Sequence, residues 1–298
     1  MSQPRRIMPL PLGGEYGLPY SRGLMARALM AVGVAPDRAY ALARRVGDDL
    51  AARGTDVVEL GRLEAHAVES LGEVEGREAL RQLRRYQELR ELDRPIVILI
   101  GGATGTGKST VATEIAYRLG ITRVTSTDFI RQTMRAFFAD DFMPTIHYSS
   151  FEAGLAVPEA DDPVVAGFLE QARQVMVGAR ASIERALQEG WSMVLEGVHL
   201  VPGLLPYPLD GALCSACVLE ISDETAHAQH FFTREAGEAR PMSKYLDRFH
   251  EIRRLQDVIV SRAHRNGIKV IENESAERAT AAVAELVLSA AERARERL

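Results

Sequence analysis

The stretch IVILIGGATGTGKST at residues 96–110 constrains the fold more than any other part of the sequence. Its first five residues are all apolar, which is typical of a strand buried on both faces. A glycine-rich turn follows, and the next segment places Val111, Ile115 and Leu119 on one helical face. A strand, a glycine turn and a helix in this order predict a parallel α/β sheet.

The turn itself matches the pattern G-x-x-x-x-G-K-[ST] at every required position. Its glycines let backbone N–H groups surround a phosphate, and the start of the helix adds partial positive charge. The lysine is expected to reach the β- and γ-phosphates, and the serine hydroxyl to bind Mg²⁺. A purely structural glycine turn is the alternative, which the complete pattern disfavours. The sequence therefore predicts ATP or GTP binding by Gly102, Ala103, Thr104, Gly105, Thr106, Gly107, Lys108, Ser109 and Thr110.

Two regions of different periodicity divide the chain. Residues 1–92 contain only helical patterns, for example Leu42, Val46 and Leu50 at intervals of four. No helix there has enough apolar surface to be stable alone, so we expect a small all-helical N-terminal domain. Residues 93–298 alternate strands and helices, which predicts a doubly wound α/β domain with a mostly parallel five-stranded sheet and helices on both faces. The strand candidates are residues 96–100, 123–126, 192–197, 212–221 and 268–272.

Composition and charge exclude several classes of protein. The net charge of −5 provides no global basic field, so neither nucleic acid nor an acidic membrane is an expected partner. No stretch approaches the ~18 consecutive apolar residues of a membrane span. The N-terminus has two arginines but no long apolar region after them, unlike a secretory signal. We expect a cytoplasmic protein, and the sequence leaves homo-oligomerisation open.

The two cysteines, Cys214 and Cys217, have a C-x-x-C spacing that occurs in metal and redox sites. They lie in a predicted strand, however, and residues three apart on a strand point to opposite faces. No second cysteine pair is present to complete a zinc site. The sequence therefore predicts two buried, unreactive thiols.

Acidic residues follow two of the predicted strands. Ligands of parallel sheets lie beyond the carboxyl ends of the strands, so Asp128 is expected to face the cleft. There it can accept or orient the proton of an acceptor hydroxyl, although capping a predicted helix at 129–138 is the alternative. Glu196 closes an apolar strand in the position of a Walker-B carboxylate. It is predicted to hold Mg²⁺ through water or to polarise the acceptor.

Basic and polar residues near Asp128 are candidates for binding an anionic acceptor. Arg131 and Arg135 lie one helical turn apart and share a face, as a clamp on a phosphate or carboxylate or as a solvated stripe. The long loop that follows contains His147 and Ser149, which either donate to an anion or only shape the loop.

Two further candidates lie later in the chain. His199 either faces the acceptor or caps a loop. The segment 233–243 carries Arg234 and Arg240 ahead of a helix that begins near Lys244. A short lid with arginines would bring positive charge to the γ-phosphate and exclude water. Ordinary surface arginines are the alternative.

Five segments together resemble the 2-phosphoglycerate kinase family of P-loop kinases: GGATGTGKST, STDFIRQTMR, HYSSFEAG, VLEGVHLVPG and HFFTRE with KYLDRFHEIRRLQD. The resemblance covers about residues 95–275. It implies transfer of the ATP γ-phosphoryl group, with Mg²⁺, to the 3-hydroxyl of 2-phosphoglycerate, giving 2,3-bisphosphoglycerate and ADP. The N-terminal helices are similar to the body of an ATP-cone, a regulatory nucleotide-binding module.

The residues alone leave the acceptor open. A kinase for a sugar acid, an inositol phosphate or a nucleotide-sugar is an alternative, as is a toxin-type kinase. A nucleotide-sensing protein without turnover is a further alternative, which Glu196 and the arginine-bearing segment disfavour. What the residues favour is a small, doubly anionic acceptor.

Overall fold

The computed structural model describes residues 20–55, 58–92, 94–204, 207–232 and 243–296. Two compact units divide the chain. The first has the bounds Met1–Asp93, Tyr117–Gly120 and Leu288–Leu298, and the second Arg94–Ala116 and Ile121–Val287.

The first unit contains four helices near its start: α1 (Arg22–Ala31), α2 (Pro36–Arg53), α3 (Leu60–Leu71) and α4 (Glu73–Glu91). The Ser21 hydroxyl caps α1 by accepting from the N–H of Leu24 at 3.4 Å. Helix α2 ends at Arg53 and is capped by Gly54, whose φ of 64° is left-handed. The apolar residues that recur every three or four positions are buried, including Leu42, Val46 and Leu50. The helical pattern thus gives this unit its own core.

The second unit is built on a sheet of five parallel strands in the order β2-β3-β1-β4-β5. The strands are β1 (Ile96–Gly101), β2 (Val124–Ser126), β3 (Met193–Glu196), β4 (Leu213–Glu220) and β5 (Lys269–Glu272). The chain moves first to one side of β1 and then to the other, so the carboxyl end of β1 is a topological switch point. Glu196 pairs with both Ile100 and Ser126, and the ends of three strands are therefore level. The predicted α/β fold class is confirmed.

The helices of the α/β fold are α5 (Lys108–Leu119), α6 (Thr127–Arg135), α7 (Pro163–Gln188), α8 (Glu224–Phe232), α9 (Ser243–Leu246), α10 (Phe249–Arg265) and α11 (Ala276–Arg295). Between α6 and α7 the chain forms two 3₁₀ turns, Pro144–His147 and Ala153–Ala156. Side chains of α7 and α10 pack with those of β1, β3 and β4 in one apolar core. Among the residues described, no helix combines the length and apolarity that crossing a membrane requires.

The boundaries of α6 differ from the prediction of residues 129–138. The helix begins two residues earlier because the hydroxyl of Ser126 accepts from the N–H of Phe129 at 3.0 Å and caps it. It ends at Arg135, three residues before the predicted end. Asp128 therefore lies within the first turn and is not the N-cap residue.

Both cysteines lie on β4 as free thiols. Cys217 is buried and Cys214 half-buried. Burial raises the pKa of each thiol to about 12, so both stay protonated near neutral pH. This state agrees with the unreactive thiols that the sequence predicts.

Candidate active site

The glycine turn forms a tight cradle at the carboxyl end of β1. Lys108 is the first residue of α5, and its Nζ donates to the carbonyl of Ala103 at 2.7 Å. Gly105 and Gly107 have φ values of 87° and 80°, which favour glycine. A Cβ at Gly105 would also collide with the ring of Phe231. Backbone sterics therefore require glycine at these two positions of the pattern.

Three side chains from outside the turn hold its carbonyl groups. Nε2 of His227 donates to the carbonyl of Thr104 at 2.8 Å, and Nδ1 of His230 donates to the carbonyl of Gly105 at 3.1 Å. The side-chain amide of Asn273 donates to the carbonyl of Thr106 at 2.9 Å. The C=O and N–H of a peptide unit point in opposite directions. Holding the carbonyls thus directs the N–H groups to the other side, where a phosphate can bind.

None of these three residues was among the sequence candidates. Asn273 immediately follows β5, at the edge of the sheet where ligands of parallel sheets lie. His227 and His230 are three residues apart on α8 and share a helical face. That spacing is the one signal in the sequence, and it does not identify the partner of either imidazole.

The two fully buried histidines of this region are uncharged at neutral pH. Desolvation lowers the pKa of His227 to about 4, against an upward effect of its hydrogen bond to Thr104. Desolvation also lowers the pKa of His199 to about 4. The unfolded chain binds these protons near the ordinary histidine pKa of about 6.5, well above the folded values. Folding stability is therefore expected to fall as the pH drops from about 6.5 towards 4.

We expect each of these histidines to cost about 2 kcal/mol of unfolding free energy between pH 7.5 and pH 5. Urea unfolding followed by the fluorescence of Trp191, the single tryptophan and a residue of the second unit, measures this change. In His227→Gln the loss between the two pH values should be smaller by about 2 kcal/mol. The unfolding free energy of His227→Gln at pH 7.5 measures how much stability the substitution itself removes. If wild type and variant lost the same unfolding free energy between pH 7.5 and pH 5, the expectation would be contradicted.

Ser109 and Glu196 come together beside the cradle, as the sequence predicts for a metal site. The hydroxyl of Ser109 donates to Oε1 of Glu196 at 2.9 Å, and Glu196 is buried. A hydroxyl and a carboxylate are hard oxygen ligands that suit Mg²⁺. The described residues contain no group of three or more His, Cys, Asp or Glu that could hold a metal. A pair of protein oxygens nevertheless suits Mg²⁺, which is usually bound by one or two protein groups together with phosphates and water.

Asp128 projects from the first turn of α6, with 57% of its side chain exposed. Desolvation pushes its pKa upwards, but interactions with His199, Arg131 and Lys108 outweigh this effect. The pKa of Asp128 is therefore below its usual value. The side chain is an ionised carboxylate in the electrostatic field of the cradle lysine.

The structure brings Arg131, Arg135, His147 and Ser149 together around one pocket of about 330 Å³. The two arginines lie on α6, and His147 and Ser149 lie on the loop that follows it. The remaining lining residues are Gln132, Tyr148, Glu152 and Lys244.

The two arginines of α6 have different surroundings. Arg131 is 3% exposed, and its Nη1 donates to the carbonyls of Ile146 and Tyr148 at 2.9 and 3.0 Å. Its Nε donates to Asp128 at 3.3 Å. Arg135 is exposed, and its Nη1 donates to Oε1 of Gln132 on the same helix at 3.1 Å. Arg131 thus shapes the pocket wall, while Arg135 presents its charge to the pocket.

Lys244 was not a sequence candidate for the acceptor site. It belongs to α9, and its Nζ lies 2.6 Å from Oε2 of Glu152. Desolvation raises the pKa of Glu152, but hydrogen bonds from Lys244 and Ser149 outweigh it and lower the pKa below its usual value. The carboxylate therefore stays ionised and holds the lysine against the pocket.

His199 was predicted either to face the acceptor or to cap a loop. It is fully buried, with Nδ1 2.9 Å from the hydroxyl of Thr127 and Nε2 2.9 Å from Oε1 of Gln171. Since both ring nitrogens have protein partners, His199 does not line the pocket. Arg234 and Arg240, with most of the predicted lid at 233–243, lie outside the described residues.

The parallel sheet, the phosphate cradle after β1 and the Ser109–Glu196 pair define a P-loop phosphotransferase. The chain is similar to the 2-phosphoglycerate kinase of Methanopyrus kandleri, with 37% identity over 87% of this chain and 81% of the relative. It is also similar to the 2-phosphoglycerate kinase of Pyrococcus horikoshii, with 34% identity over 93% of this chain and 92% of the relative. The chain therefore belongs to the 2-phosphoglycerate kinase family and is a kinase that acts on a hydroxyl group.

No family model matches the sequence. Among solved structures, a gluconokinase from Sinorhizobium meliloti 1021 is similar at a TM-score of 0.35 and 15% identity. The match covers 68% of this chain and 95% of the gluconokinase. A similarity at this level carries no functional argument.

Proposed function

We propose that this kinase transfers the γ-phosphoryl group of ATP to the 3-hydroxyl of 2-phosphoglycerate, giving 2,3-bisphosphoglycerate and ADP. One observation carries the proposal: the relatives named 2-phosphoglycerate kinase match almost the whole chain at 34 to 37% identity. The geometry of the second unit supports both the donor and the acceptor in this assignment.

On the donor side, the cradle at residues 102–110 receives the phosphates of ATP, as the sequence pattern implies. Lys108 moves from the carbonyl of Ala103 to the β- and γ-phosphates when the nucleotide binds. Ser109 and Glu196 would hold Mg²⁺, directly or through water. When bound, the metal ion neutralises charge that develops on the transferring phosphoryl group.

On the acceptor side, the 330 Å³ pocket suits a small molecule with two anionic groups. Arg135 and Lys244 approach it from two different elements, so one can bind a phosphate and the other a carboxylate. Ser149 and His147 also lie at the pocket. In this structure the hydroxyl of Ser149 hydrogen-bonds to Glu152, and Nε2 of His147 is 3.0 Å from the carbonyl of Phe138.

The proposed chemistry is an in-line displacement. The acceptor hydroxyl oxygen bonds to the γ-phosphorus while the bond from that phosphorus to the β,γ-bridging oxygen breaks. ADP leaves with the bridging oxygen, and the hydroxyl proton passes to the carboxylate of Asp128. Arg131 keeps that carboxylate in place through its contact at 3.3 Å.

The test is ADP release measured in a coupled assay with a panel of acceptors. We expect 2-phosphoglycerate to stimulate ATP consumption strongly and mass spectrometry to find 2,3-bisphosphoglycerate. If gluconate, an inositol phosphate or a nucleotide-sugar stimulated ATP consumption and 2-phosphoglycerate did not, the assignment of 2-phosphoglycerate as the acceptor would be wrong. ATP binding with no turnover on any acceptor would indicate a nucleotide-sensing protein.

The same assay tests the acceptor site through Lys244→Met, which keeps side-chain length and removes the charge. A charge-assisted hydrogen bond is worth about 1.5–3 kcal/mol, so the KM for 2-phosphoglycerate should rise about 10- to 100-fold. The KM for ATP should not change. Lys269→Met is the matched control, because Lys269 is exposed on β5 and outside the pocket. An unchanged acceptor KM in Lys244→Met would remove Lys244 from the site.

A further inference from the structure

We infer that Gln171 is a positioning residue, whose amide holds both the acceptor-side loop and the His199 imidazole and thereby sets the acceptor against Asp128. The consequence for turnover rests on the proposed function. The hydrogen bonds themselves do not, and they can be tested separately.

Gln171 is fully buried in the first half of α7. Its Nε2 donates to the carbonyl of Thr145 at 2.5 Å and to that of Tyr148 at 3.1 Å. Both carbonyls belong to the loop that carries the pocket residues His147 and Ser149. The glutamine therefore holds this loop at two points on either side of His147.

These contacts place a proton on Nε2 of His199. Two carbonyls can accept only from the NH₂ group, so the orientation of the Gln171 amide is settled and its Oε1 is left as an acceptor. Nε2 of His199 lies 2.9 Å from that oxygen and must carry the proton. Because burial lowers the pKa of His199 to about 4, the ring is neutral, so Nδ1 is an acceptor and the hydroxyl of Thr127 donates to it.

The chain of contacts ends beside the proposed base. Thr127 is fully buried and directly precedes Asp128 in the first turn of α6. Gly197 leaves room for the Thr127 side chain, since a Cβ there would collide with its hydroxyl. The neutral His199 therefore connects the start of α6 to α7, and α7 to the acceptor loop.

A second side chain holds the same loop from the opposite end of the site. Arg131 donates to the carbonyls of Ile146 and Tyr148 and also contacts Asp128. The base and the loop are thus joined twice, once through an arginine and once through a neutral network. Each link uses hydrogen-bond donors inside the protein, where an unpaired carbonyl is costly.

The experiment compares Gln171→Leu with Gln188→Leu, a matched change at the exposed end of α7. We expect Gln171→Leu to raise the acceptor KM about tenfold and leave the ATP dissociation constant unchanged. Thr127→Val should lower kcat by a larger factor than it changes the acceptor KM or the ATP dissociation constant. Thr127→Ser keeps the hydroxyl and should restore the wild-type kcat. If Gln171→Leu changed the acceptor KM and the ATP dissociation constant by the same factor, the variant would have lost packing throughout the unit. That result would overturn the inference.

Two measurements need no turnover. Nitrogen NMR of the imidazoles should show His199 protonated on Nε2. Hydrogen exchange should become faster at residues 145–150 in Gln171→Leu and stay unchanged in the cradle. If wild type turns over no 2-phosphoglycerate, the proposed function fails while these two measurements still judge the network. A proton on Nδ1, or unchanged exchange in the loop, would overturn it.

Discussion

Lys108→Ala should abolish phosphoryl transfer while leaving the fold intact. We expect kcat to fall by about 10³-fold or more, because the lysine acts on charge that develops as the γ-phosphoryl group moves. Its side chain already lies along the turn, with Nζ 2.7 Å from the carbonyl of Ala103, so binding requires only a local movement. Coupled ADP release and mass spectrometry of the product measure the effect.

Lys269→Ala is the matched control for this loss. The protein has only three lysines, and Lys269 lies exposed on β5 of the same unit. Its removal changes the net charge equally and should leave kcat unchanged. Trp191 fluorescence reports whether the second unit remains folded in both variants. Retained turnover in folded Lys108→Ala would show that the phosphates bind elsewhere.

Local sequence signals were sufficient for the cradle and the fold class. The strand before Gly102 is buried throughout, as its apolar run indicates. Gly105 and Gly107 take left-handed conformations that the motif requires. Glu196 meets Ser109 because β1 and β3 are parallel neighbours whose carboxyl ends are level. Each of these features follows from spacing within a segment or from the general geometry of parallel sheets.

The rest of the site depends on contacts between distant segments. Gln171 is 28 residues from His199, and Asn273 is 167 residues from Thr106. Lys244 meets Glu152 because α9 lies beside the acceptor loop. No periodicity or motif encodes which polar side chains will share a buried contact.

His199 shows the same limit in the opposite direction. A histidine after a strand end is a reasonable candidate for facing the acceptor, because ligands of parallel sheets lie there. The structure instead surrounds it with Thr127 and Gln171, and burial lowers its pKa to about 4. Sequence position indicated the correct edge of the sheet but not the direction of the side chain. Its effect on the acceptor is therefore proposed to pass through other residues.

Asp128→Asn should lower kcat by about 10² to 10⁴-fold, the usual contribution of a general base. The ATP dissociation constant should stay unchanged, because the side chain belongs to α6 and not to the cradle. The pKa of Asp128 is held below its usual value, so its carboxylate remains ionised as the pH falls from neutral. Titration of Asp128 should therefore contribute nothing to a change of the wild-type kcat between pH 7 and pH 5.

The opposite case is that Asp128 serves only as the partner of Arg131, 3.3 Å away. An amide oxygen can still accept from the guanidinium, so Asp128→Asn keeps this contact and removes only the proton acceptor. Asp140→Asn, in the exposed chain after α6, controls for the change of one charge. A kcat in Asp128→Asn equal to that of the control would limit Asp128 to a structural role. A large fall in the kcat of Asp128→Asn with unchanged ATP binding would place Asp128 at the reacting hydroxyl. The contact with Arg131 could not explain that fall, because wild type and Asp128→Asn both keep it.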